Sequence, residues 1–236
     1  MNMKLAIAAL AICLTACSAP SEPDNVILHY DFAKSEGNVV KDASKSGFDA
    51  TLCGSAVLEK YEDFCVVNLG QDSGYVDMGT AIGEKLAGLD EFSVKVTYLV
   101  KEEASLKGHG YFLFAFSCNE LNSAEDGCYL AYKLNIQRAE NTFHGWNHET
   151  AVEVGKASDK GTWQTVVYTQ KGKTAKLFIN GQLQDCEEEM QTNAEVFPNG
   201  APTFNWMGRA PFPGDNYLAG TLIKDVCIYN IAIDVE

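Results

Sequence analysis

The chain has 236 residues, of which 46% are hydrophobic and 11% aromatic, enough apolar material to bury a sizeable core and too much for a disordered chain. Its 32 acidic residues outnumber 18 basic ones, giving a formal net charge of −14. That excess repels nucleic acid and anionic lipid surfaces, and it disfavours a polyanionic sugar unless calcium bridges the two.

The first residues carry an address rather than a fold. One positive charge, Lys4, precedes an apolar run over residues 5–14 and then Thr15-Ala16-Cys17. This is the layout of a secretory signal, and it is too short to span a bilayer. Leu14-Thr15-Ala16-Cys17 reads as a lipobox, which predicts a signal peptide over residues 1–16 and lipidation of Cys17. Residues 17–25 then form a polar, proline-containing tether, and the membrane is met only through the acyl chains. Losing Lys4 with the signal takes the net charge from −14 to −15. Ser18 follows the cysteine, which by likeness to Gram-negative sorting implies an outer-membrane anchor.

About 210 residues remain, 26–236, with no internal repeat or linker, and they read as one domain. Strand signals bounded by Gly, Asn, Asp and Ser recur at 26–32, 50–58, 64–69 and 75–78. Residues 92–101 alternate well, with Phe92, Val94, Val96 and Tyr98 on one side and Ser93, Lys95 and Thr97 on the other. Further strands are predicted at 111–117, 129–138 and 142–148, a meander, then at 163–170, 175–179, 204–207 and 220–230. Asn180-Gly181 is the strongest hairpin signal in the chain. The one helical hint, 83–88, is a single short turn. A dozen short strands without helical crossovers predict two stacked antiparallel sheets, a jelly-roll sandwich.

Eight cysteines occur. Cys13 leaves with the signal and Cys17 takes lipid, so six remain, and in an exported chain they predict disulfides. Six cysteines allow fifteen pairings. Cys53 with Cys65 and Cys118 with Cys128 each bracket an expected hairpin, leaving Cys186 for Cys227. Zinc is the rival, but no Cys-x-x-Cys or paired His at ligand spacing supports it.

Three stretches, in order, resemble a known family. Leu28-His29-Tyr30-Asp31-Phe32 with Val39-Val40-Lys41-Asp42-Ala43-Ser44 and Ala50-Thr51-Leu52 is similar to the opening of laminin G-like jelly rolls. Gly161-Thr162-Trp163-Gln164-Thr165-Val166-Val167-Tyr168 running to Leu177-Phe178-Ile179-Asn180-Gly181 resembles that family's hairpin. Met207-Gly208-Arg209, then Leu218 to Val226 and Ile228-Tyr229-Asn230, resembles its closing strand. The resemblance implies a concanavalin A-like fold over residues 26–236, which hosts lectins, adhesion modules and glycoside hydrolases. Physics accounts for much of the motif without a ligand: Trp163 is expected to plug the core between the sheets.

Candidate chemistry is sparse. Glycosidases of the superfamily carry Glu-x-Asp-x-x-Glu on one strand, and no such run occurs here. Glu149 and Glu153 follow the expected 142–148 strand, and Glu187-Glu188-Glu189 reads as a solvated loop. Phe143-His144-Gly145-Trp146-Asn147-His148 is more suggestive, because as a strand it puts His144, Trp146 and His148 on one face. An indole flanked by polar groups suits the apolar face of a pyranose. Trp206, Arg209, Asp215 and Tyr217, around a proline-shaped loop, form a second candidate rim, with Arg209 in reach of Asp215 for an ion pair. By resemblance, calcium is an expected cofactor, with Asp31, Asp42 and Asp225 as oxygen ligands inside the matched segments. The leading expectation is a cell-envelope lipoprotein that binds a glycan or glycoprotein without catalysis. A module recognising a protein partner, and a hydrolase with a rearranged acid pair, are the alternatives.

Overall fold

The computed structural model describes residues 24–118 and 127–235. The expected signal peptide, Cys17 and most of the tether lie outside the described residues. Among the described residues no helix is long and apolar enough to cross a membrane.

The chain folds as an antiparallel sandwich whose two sheets share their first strand. β1 (Val26–Glu36) pairs through residues 26–29 with the last strand, β16 (Thr221–Tyr229), and through its second half with β2 (Val39–Asp42). The first sheet runs from β1 and β16 to β7 (Glu91–Val100), β12 (Trp163–Lys171), β13 (Thr174–Ile179) and β14 (Gln182–Glu187). The hairpin β4 (Val57–Tyr61) and β5 (Phe64–Asn68) joins the other end of β16. The second sheet continues from β1 and β2 through β3 (Ala50–Cys53), β6 (Tyr75–Asp77) and β15 (Phe204–Met207). It then passes to β8 (Phe112–Ser117), β9 (Tyr129–Lys133), β10 (Arg138–Thr142) and β11 (Thr150–Glu153).

Period-two alternation explains the stacking. On β7 the residues Phe92, Val94, Val96 and Tyr98 point into the main core, against Leu113, Phe114 and Phe116 of β8 and Tyr132 of β9 in the same cluster. Each fully buried side chain of this kind stabilises by about 1.5–3 kcal/mol. The hairpin from β13 to β14 turns at Asn180-Gly181, with φ of 51° and 79°, the two positive angles that the sequence signal requires.

Several expectations need correction. The expected strand 50–58 is two strands, because the chain turns at Gly54 (φ 61°), where a Cβ would sit 2.1 Å from the Ser73 carbonyl oxygen. The helical turn is a helix of seven residues, α1 (Ala81–Ala87). Of the expected solvated loop Glu187-Glu188-Glu189, Glu187 ends an edge strand, while Glu188 and Glu189 lie exposed beyond it. Trp163 does not plug the main core: it lies half-buried on the outer face of the first sheet, edge-on to Tyr61 and Phe64.

The cysteines also differ from expectation. Cys118 and Cys128 form a disulfide, as predicted from their spacing. Cys53 and Cys65 do not, since β3 and β5 belong to different sheets. Cys186 and Cys227 do not either. Registers step from Cys186 through Lys176, Thr169 and Ser93 to Tyr229, so the two strands stand four apart, roughly 19 Å at strand spacing. A disulfide spans less than about 7 Å between Cα atoms.

Candidate functional site

The second sheet has an outer face that is partly roofed. Phe112 and Ala115 of β8 and Tyr129 and Ala131 of β9 point away from the main core and make a smaller one with Ala210 and Phe212. Phe212 meets the Tyr129 ring edge-on at 5.5 Å, which seats the 210–217 loop on the sheet. The loop is also hydrogen-bonded to the 109–111 segment at Asn216: the Tyr111 N–H donates to the Asn216 carbonyl, and the Asn216 N–H and side-chain amide donate to the His109 carbonyl.

Opposite this loop stands a tight turn after β10. The expected strand at 142–148 ends at Thr142, because the Thr142 hydroxyl donates to the Gly145 carbonyl and Gly145 takes φ of 84°. The His148 N–H donates to the same carbonyl, while the Gly145 N–H donates to the Gly127 carbonyl. His144, Trp146 and His148 therefore do not share a strand face. The turn brings the two imidazole rings to 6.0 Å, where a strand would hold those positions roughly 13 Å apart. It also projects Trp146, 53% exposed, beyond the sheet.

Between loop and turn lies a cleft of about 700 Å³, lined by His109, Gly110, Phe112, Lys133, Asn135, Arg138, Glu140, Trp146, Asn147, Glu149, Phe212 and Asp215. Its floor is a charged network. Lys133 sits 2.7 Å from Glu140 Oε2, and Arg138 Nε lies 3.3 Å from the same oxygen. Arg138 Nη2 reaches Glu149 Oε2 at 3.0 Å, and the Tyr129 hydroxyl donates to Glu149. Burial pushes the Glu140 carboxyl up to about 7, against the pull of Lys133 and Arg138; the Glu149 charge adds to the rise. Burial and the Glu140 and Glu149 carboxylates likewise hold the Tyr129 phenol far above its usual range. Burial raises Asp215, opposed by His109 and Lys133.

Of the predicted ligand residues, Trp146 and Asp215 line the cleft. His144 and His148 lie exposed on the same turn, outside its lining. Trp206, Arg209 and Tyr217 form a separate stack: the Arg209 guanidinium lies 3.9 Å over the Trp206 ring, with Tyr75 at 5.0 Å and Tyr217 at 5.9 Å. The expected calcium acids each hold protein donors. Asp42 accepts the N–H groups of His29, Ser44 and Phe48; Asp31 accepts those of Ala33 and Lys34; Asp225 meets His29 and Lys95. Sequence reading missed Lys133, Asn135, Arg138 and Glu140. The available signal was Arg138-Ala139-Glu140, two opposite charges at strand period on either side of an apolar residue.

The molecule is thus a two-sheet jelly roll with a polar, tryptophan-rimmed cleft on one outer face. The chain belongs to the concanavalin A-like lectin/glucanases superfamily, whose laminin G-type family model matches residues 104–236. No curated protein matches the sequence. Among solved structures it is similar to domain 4 of AbnA, an extracellular GH43 arabinanase from Geobacillus stearothermophilus, solved with arabinotriose. That match has a TM-score of 0.66 and 14% identity over 89% of this chain and 94% of that one. The binding domain of botulinum neurotoxin serotype D/C matches at 0.61 and 17% identity, covering 89% of this chain and 50% of that one. Trypanosoma rangeli sialidase, solved with sialic acid, matches at 0.61 and 15% identity, covering 93% of this chain and 33% of that one. This chain thus spans half of the toxin domain and a third of the sialidase. At these identities the likenesses show the fold alone.

Proposed function

We propose that the cleft on the second sheet binds a carbohydrate without cleaving it, in an exported protein anchored through a lipid on Cys17. The observation that carries this reading is Trp146 held half in solvent over a cleft with charged, hydrogen-bonding walls. A pyranose stacks its apolar face on an indole while fixed polar groups read its hydroxyls. The cleft pairs most of its cations with its own acids, which suits a neutral glycan better than a strongly acidic one. Support also comes from two proteins of similar fold, one solved with arabinotriose and one with sialic acid.

Two carboxyls share the floor, but both Glu140 oxygens are buried and one is held by Lys133, so the raised acid has no open path to a glycosidic oxygen. A protein partner is the second reading, since one neighbouring toxin domain was solved with rat synaptotagmin II.

The test is glycan-array binding of the purified chain beside a Trp146→Ala variant, each with and without a calcium chelator. Binding by the parent that the variant loses, with an unchanged circular dichroism spectrum, supports the lectin reading. Insensitivity to the chelator is expected, because Asp31, Asp42 and Asp225 do not line the cleft. Silence of the folded parent across the array moves the assignment to a protein partner.

A further inference from the structure

On the opposite outer face, the first and last strands of the sandwich bring together three side chains that no sequence spacing foreshadows. His29 of β1 stands directly across from Cys227 of β16, and Asp225 lies two residues before Cys227 on the same side of that strand. A β-bulge is responsible. The register of β16 against β7 skips Lys224, between Ile223 opposite Tyr98 and Asp225 opposite Thr97. Ile223, Val226 and Ile228 therefore reach the core, while Asp225 and Cys227 turn outward. Without the extra residue the parity would reverse and Asp225 and Cys227 would face the core.

We propose that His29, Asp225 and Cys227 form a binding site for a divalent ion of zinc chemistry, clipping the first strand to the last. Zinc takes thiolate sulfur at about 2.3 Å, imidazole nitrogen at about 2.0–2.1 Å and carboxylate oxygen at about 2.0–2.2 Å in tetrahedral geometry. Those bonds place neighbouring ligand atoms about 3.3–3.6 Å apart. Here His29 Nε2 lies 3.4 Å from Asp225 Oδ1, and Cys227 Sγ lies 3.8 Å from that same oxygen. All three ligand atoms fall within 4.8 Å of one another, so small rotamer adjustments seat an ion between them.

The surroundings favour one-oxygen ligation. Lys95 Nζ lies 3.2 Å from Asp225 Oδ2, while His29 and Cys227 approach Oδ1, so the lysine steadies the carboxylate and leaves Oδ1 for the ion. Sulfur, nitrogen and a single oxygen suit zinc and not calcium, which requires six to eight oxygens. Three protein ligands leave the fourth position to water. On binding, the Cys227 thiol gives up its proton to solvent and the thiolate joins the ion, so no oxidant or reductant is needed.

The test is a Co²⁺ titration of the full metal-free chain with the Cys118–Cys128 bridge intact. One equivalent is expected to give the visible bands of tetrahedral cobalt and a thiolate-to-metal charge-transfer band, both displaced by Zn²⁺. Cys227→Ser abolishes the charge-transfer band, His29→Ala weakens Zn²⁺ binding by at least tenfold, and Cys186→Ser changes neither. A folded parent chain that shows no charge-transfer band at saturating Co²⁺ overturns the site, whether or not the variants fold. So does a band that survives Cys227→Ser.

Discussion

The two outer faces of the sandwich use charge in opposite ways. On the first sheet, ion pairs such as Lys171 with Glu91 stand in water, and Lys224 lies over the Phe64 ring at 3.9 Å. On the second sheet a loop and a turn close over Lys133, Arg138, Glu140 and Glu149, so similar residues are bound into one network that is half-buried, and at Glu140 fully buried. The strands are equivalent; the covering segments decide. A seated loop converts a solvated sheet face into a cleft, and it raises the energetic stake of every charge beneath it.

The contrast can be broken most forcefully at Glu140. Replacing it by alanine leaves Lys133 without its buried partner and Arg138 short of one, and should destabilise the fold by about 3–5 kcal/mol in denaturant titrations. A loss under 1 kcal/mol would mean that the network is as wet as the opposite face. The pH dependence is the next largest effect. Because the folded carboxyl titrates near 7 and an unfolded glutamate near 4.5, the native state holds the extra proton between those values. Its contribution is therefore fully present below about pH 4.5 and is lost as pH rises through 7, by roughly 3 kcal/mol in all. Stability measured from pH 4.5 to 8 should show that decline in the parent and not in Glu140→Gln. Equal slopes would show the carboxylate ionised throughout by its two cations.

Trp146→Ala sharpens the contrast at the rim. Glycan affinity should fall at least tenfold, about 1.4 kcal/mol, while thermal stability changes by less than about 0.5 kcal/mol because the indole is half exposed. On the first sheet, Lys171→Ala should be nearly silent, within about 0.5 kcal/mol by chemical denaturation, as expected for a solvated pair.

The fold was legible where local chemistry is stiff. The alternation of residues 92–98 and the Asn180-Gly181 turn each admit one backbone solution, and both lie where the pattern puts them. The candidate site was half legible. Trp146 was picked out by its residue type, but the turn that aims it depends on the Thr142 hydroxyl and a positive φ at Gly145, which a strand-like pattern conceals. Glu140 was invisible because its meaning comes from Lys133 on the neighbouring strand and a roof some 70 residues away in sequence. Cysteine spacing misled for a related reason. Twelve residues separate Cys53 from Cys65, yet the chain changes sheet between them.

Strand β1 carries a further consequence. Its first four residues are bonded into one sheet and the rest into the other, so neither layer can peel away without opening the seam they share. The sandwich should therefore melt as a single cooperative unit. Amide protons at the far edges, on β11 and β14, should exchange through local fraying, while those of β1, β16 and β2 report only the global opening.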